Sequence, residues 1–130
     1  MLYSILIFAI IYMLKMNDNK VKNILSNDKL IEAVASSLTI VYGVTSLVSK
    51  KNFNNKSNGI VNLSNDKLNE GIFIKKRGNK YTVVVYVSIS KDVKKEEVES
   101  QIVTQVTYDL HKKFKINSKD ITVTPNSVVK

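Results

Sequence analysis

Hydrophobic and polar positions repeat along this chain with two periods, and each change of period marks an element. Leu30, Ile31, Val34, Ala35, Leu38, Val41 and Tyr42 recur at helical spacing. They predict a helix over 27–42, with Ser26 or Asn27 as N-cap and Gly43 as its stop. Residues 21–25 ahead of it are a short strand candidate. Residues 49–69 are rich in Asn, Ser and Lys and predict a long loop, unusual in a compact domain.

From 71 the period drops to two. Two β-rich runs, 71–76 and 80–90, flank Arg77-Gly78-Asn79, which reads as a hairpin. Tyr81, Val83, Val85, Val87 and Ile89 share one face and predict a core. Thr82, Val84, Tyr86, Ser88 and Ser90 share the other, as expected where a sheet face is solvated or meets a partner. The helical period then returns over 93–114, with Val98, Ile102, Val106, Leu110 and Phe114 as the buried stripe. Asp92 or Ser90 is positioned to cap it, with glutamates at its start and His111, Lys112, Lys113 and Lys115 at its end. A last strand is predicted over 120–124, ended by Pro125.

The order is β-α-β-β-α-β. It predicts an α+β fold: a single βαββαβ domain with one mainly antiparallel sheet and two helices packed on one face, as in ferredoxin-like or split βαβ arrangements. The hexamer LSNDKL occurs at 25–30 and 63–68, too short a unit for a repeat architecture. The chain divides into a hydrophobic segment, 1–15, and a domain over 16–130 that carries the 49–69 loop.

Leu2 to Leu14 is apolar or aromatic except for Ser4. Thirteen helical residues reach about 20 Å, against about 30 Å of bilayer hydrocarbon. Three readings stand: a start placed upstream of a true beginning at Met16, a short membrane anchor, or a buried or swapped helix. As an anchor, Lys15, Lys20 and Lys22 on its C-terminal side would place the domain in the cytoplasm.

Composition narrows the chemistry. The 130 residues contain no cysteine and one histidine, which argues against disulfides, thiolate or multi-histidine metal sites and most histidine-based catalysis. Glu96, Glu97 and Glu99 read as a dipole-matched first turn rather than catalytic carboxylates. His111 reads as a surface residue at a helix end rather than a general base. No nucleophile–base pair or phosphate-binding glycine pattern is present, and no cofactor is implied. The net charge of +9 favours anionic surfaces, whether membrane or nucleic acid. Only Arg77 among the 20 cations is arginine, and arginine is the usual reader of bases. The abundant Lys, Asn and Ile share AT-rich codons, so part of this charge reflects base composition.

The arrangement resembles the alkaline shock protein family of Gram-positive-type bacteria, particularly its small YloU-like branch. The resemblance covers about Ile24 to Val123. Its most specific part is the helix Ile31-Glu32-Ala33-Val34-Ala35-Ser36 leading to Val41-Tyr42-Gly43-Val44 and Leu47. It continues through Gly71-Ile72, the valine-rich run Val83 to Ile89, the helix with Val98, Gln101, Ile102, Gln105 and Val106, and Asp120-Ile121-Thr122-Val123. The chain departs from the family in its 49–69 insertion, its hydrophobic N-terminus, Ser90-Lys91-Asp92 where relatives commonly have Tyr-Gly, and its basic charge. The resemblance implies a non-enzymatic factor in cell-envelope homeostasis or stress response. It also implies a cytoplasmic protein acting through a protein partner, with some such factors held peripheral to the inner face of the cell membrane. That partner would be membrane-anchored or a fatty-acid-kinase-like protein; self-association is a further implication.

The residues themselves nominate a partner surface: Phe73, Val84 and Tyr86 on the mixed sheet face, with Lys75, Lys76 and Arg77 at the hairpin. A small basic RNA-binding module is the alternative, with the same aromatics stacking on bases. An anionic membrane surface is a third candidate for the lysines.

Overall fold

A computed structural model of the chain describes residues 27–54 and 65–129. The strand expected at 21–25 and the hydrophobic segment 1–15 lie outside the described residues. Helix α1 covers 27–39, followed by strand β1 (Val44–Leu47), strand β2 (Ile72–Arg77), strand β3 (Lys80–Ile89), helix α2 (Lys95–Phe114) and strand β4 (Ile121–Val129). The class is α+β, with two helices and a mixed four-stranded sheet among the described residues.

β3 is the axis of the sheet. Its ten residues pair on one side with β4 in parallel, from Tyr81 opposite Ile121 to Ile89 opposite Val129. On the other side β2 and β1 lie end to end, both antiparallel to it. They meet at Tyr86, whose N–H donates to Gly71 O while its carbonyl accepts from Val48 N, each at 2.9 Å. A residue's N–H and C=O address the same side of a strand, so this one residue joins both neighbours to one edge. The β2–β3 hairpin turns through Gly78-Asn79. Positive φ at Gly78 alone is the pattern of a II′ turn, which matches the twist of the strands it joins.

The predicted core face of β3 is the core. Val83, Val85, Val87 and Ile89 are buried in one cluster with Leu30, Val34 and Leu38 of α1 and Val98, Ile102, Val106 and Leu110 of α2. Phe114 is half-buried at the end of its stripe. Polar bonds tie the elements together at the rim of this cluster. Ser37 Oγ on α1 donates to Asp109 Oδ2 on α2 at 2.6 Å, and Ser127 Oγ on β4 donates to Glu99 Oε1 on α2 at 2.8 Å.

Several expected boundaries move. α1 ends at 39 rather than 42, and Tyr42, expected in its buried stripe, is 82% exposed. Thr39 Oγ1 donates to Ser36 O at 2.6 Å, so a hydroxyl competes for a helix carbonyl at the end. Two i→i−3 bonds, Ile40 N to Ser37 O and Val41 N to Leu38 O, then tighten the chain into the turn. α2 begins at Lys95, not 93, and neither Asp92 nor Ser90 caps it. Its N-cap is Lys94, without a side-chain bond, while Ser90 Oγ accepts from Asp92 N in a turn of its own.

Pro125 does not end the last strand, which continues to Val129. Tyr86 addresses the β1/β2 edge, so Val85 addresses β4. Pro125 lies opposite Val85, and in a parallel pair Val85 bonds to the residues on either side of its partner, 124 and 126. The proline nitrogen therefore faces the outer edge, where no ladder bond is lost. β1 is an added strand, lying between the expected helix stop at Gly43 and the expected loop over 49–69. The 49–69 loop also contains two 3-10 turns, Lys50–Asn52 and Asn65–Glu70.

Candidate functional site

Alternation along β2 and β3 decides which nominated residues meet. Phe73 lies opposite Val84, Lys75 opposite Thr82 and Arg77 opposite Lys80, all on the face turned away from the core. Tyr86 shares that face two residues beyond Val84. Lys76 does not. It lies opposite Tyr81 on the core side, and its Nζ sits 5.5 Å from the Tyr81 ring centroid. The structure brings together five of the six nominated residues and places Lys76 at the same sheet edge but on the other face.

The outer face is partly covered by the chain itself. Ser49 Oγ accepts from Asn52 N and caps the short turn Lys50–Asn52, which delivers Phe53 to the sheet. The Phe53 ring meets Tyr86 edge-on at 5.2 Å, and Phe73 meets Tyr86 edge-on at 6.0 Å. Lys50 Nζ stands 5.6 Å from the Phe73 ring centroid. Phe53, Phe73, Val84 and Tyr86 are all half-buried. Sequence reading missed Phe53 and Lys50 because they lie in a segment without periodicity. The only advance signal was an aromatic within a polar loop.

Toward β1 the same face closes. Ser88 Oγ is fully buried and lies 2.6 Å from both Thr45 Oγ1 and Ser46 Oγ. A bulge between Val44 and Ser46 turns these two hydroxyls toward it. Toward the hairpin the face opens and becomes cationic. Lys50, Lys75, Arg77 and Lys80 are exposed, and no outward position of β2, β3 or β4 is Asp or Glu. The site is thus an aromatic island flanked by unopposed positive charge.

The other candidate chemistries resolve into local structure. Glu99 accepts from Ser127 and lies 3.9 Å from Lys95 Nζ, while Glu96 and Glu97 are exposed on the first turn of α2. His111 Nδ1 donates to Ile116 O at 2.8 Å and closes the C-terminal turn, where Lys115 takes a left-handed conformation. Among the described residues no group of acidic or histidine side chains converges as a metal site. An open groove of about 660 Å³ between α1 and β1 is lined by Glu32, Ala35, Thr39, Val44, Leu47 and Leu68 among others, with no base–nucleophile pair on its walls. No helix among the described residues is long and apolar enough to cross a membrane. In comparisons with family models, curated proteins and solved structures, the chain matches none of them.

Proposed function

We propose that this protein is a non-enzymatic interaction module whose outer sheet face docks a protein partner. The observation that carries the reading is the half-buried aromatic island of Phe53, Phe73 and Tyr86 beside four exposed cations with no carboxylate among the outward strand positions. Such a face combines an apolar anchor with charge that selects and steers an acidic partner. The resemblance to the alkaline shock protein family supplies the setting. It supports a role in cell-envelope homeostasis or stress response at the cytoplasmic face of the membrane, through a membrane-anchored or fatty-acid-kinase-like partner. In fold terms, the proposal includes both helices layered on the core side of the sheet.

The test is affinity purification from the native cell, comparing the wild type with Phe73→Ser and Tyr86→Ser. Loss of a discrete partner from both variants, with circular dichroism unchanged, is the expected result. Unchanged recovery would sink the reading. The RNA alternative requires open aromatic faces for base stacking. Here the rings meet edge to face, an arrangement that favours the protein reading. Filter binding to RNA at low salt discriminates the two, since an RNA module retains RNA there and loses it steeply as salt rises.

A further inference from the structure

We propose that the outer edge of β2 accepts an extended acidic protein segment as an added strand. The proposal rests on the docking reading above and names the chemistry and the mode of what docks. Tyr86 directs both main-chain groups to the β1/β2 edge, so Val84, Thr82 and Lys80 do the same. Their partners Phe73, Lys75 and Arg77 therefore exchange ladder bonds with β3. Ile72, Ile74 and Lys76 then turn their N–H and C=O groups away from β3. Among the described residues no strand pairs with that side. It is a row of main-chain donors and acceptors suited to strand addition.

Charge selects the occupant. A strand added there sets alternate side chains beside Lys75 and Arg77 on the outer face, and the intervening ones beside Lys76 on the other. All three cations are exposed, and neither the Lys29–Glu32 nor the Lys95–Glu99 ion pair involves them. Carboxylates on the incoming strand would neutralise both rows. A second copy of β2 would bring the same three cations and nothing to neutralise them, so the edge resists self-pairing. The opposite edge of the sheet is a weaker acceptor, because Pro125 removes a donor from the outward row of β4.

The test is fluorescence anisotropy of the full chain with a labelled synthetic peptide alternating Glu and Val. A Lys-Val peptide, an oligouridine and phosphatidylglycerol vesicles serve as competitors. The Glu-Val peptide is expected to bind, and the double substitution Lys75→Glu, Arg77→Glu to weaken it by about tenfold or more. Lys76→Pro deletes an outward donor without touching the β3 ladder, so it should abolish binding that Lys76→Ala retains. Should Lys76→Pro unfold by circular dichroism, a peptide N-methylated at alternate amides removes the same bonds from the other side and should not bind. Equal binding of the Glu-Val and Lys-Val peptides, equal binding by the two Lys76 variants, or displacement of the peptide by oligouridine or vesicles would overturn the proposal. Failure of the peptide to bind while Phe73→Ser still releases the cellular partner would overturn the edge and leave the docking face standing. Peptide binding without any effect of Phe73→Ser on the cellular partner would do the reverse.

Discussion

Gly43 and Gly78 both hold positive φ, at 96° and 62°, yet their surroundings differ. A Cβ on Gly43 would lie 2.9 Å from Val98 Cγ2 and 3.0 Å from Val93 Cγ1, while one on Gly78 would meet nothing within 4 Å. Gly43→Ala therefore adds a clash to the backbone strain and should lower the unfolding free energy by about 2 kcal/mol or more. Gly78→Ala carries the strain alone and should cost about 1 kcal/mol. Urea denaturation of both variants checks the order, and a larger loss at Gly78 would contradict it. Gly43 was legible in the sequence as a stop, though not the reason it must be glycine. That reason is the close approach of α2, a contact between residues more than fifty positions apart. Tyr42 beside it shows the complementary limit. Its spacing fits the helical stripe, but the helix ends at 39, and past that end Val41 stays in the core while Tyr42 turns out to solvent.

At the scale of elements, the regular periods were the legible part. The stripe of α2 and the odd positions of β3 form the core because period and burial agree over many residues. Ile102, fully buried, should cost about 3 kcal/mol on truncation to Ala. Thr104 on the same helix is exposed and bonds only back to Ser100 O, so Thr104→Ala should stay within about 0.5 kcal/mol. Thermal melts of the pair test whether the stripe carries the helix. What the sequence left hidden depends on partners rather than on local pattern. β1 is four residues long and interrupted by a bulge, and its strand character comes from pairing with the end of β3. Pro125 ends a strand only where its nitrogen faces a neighbour, and that orientation follows from the register with Val85. The tetrapeptide NDKL makes the same point. At 27–30 it lies in an α-helix and at 65–68 in a 3-10 turn.

Across the whole sheet, the described residues form two unlike faces. One face is consumed by the hydrophobic cluster with α1 and α2. The other presents Phe53, Phe73 and Tyr86 between a closed hydroxyl end at Ser88 and an open cationic end at the hairpin. Alternation within the hairpin made Phe73, Val84, Tyr86, Lys75 and Arg77 legible as one face. It also assigns Lys76 to the other face, a distinction lost when the three cations are grouped by sequence alone. Phe53 was out of reach because the capped turn that delivers it follows no hydrophobic period. The proposed docking surface for a protein partner is the outer sheet face. Site-specific photo-crosslinking in the native cell tests it most directly, with the reactive group placed at Lys75 on that face or at Lys113 near the exposed end of α2. A discrete cross-linked protein is expected from position 75 and none from 113. The same product from both positions, or a product from 113 alone, would contradict it.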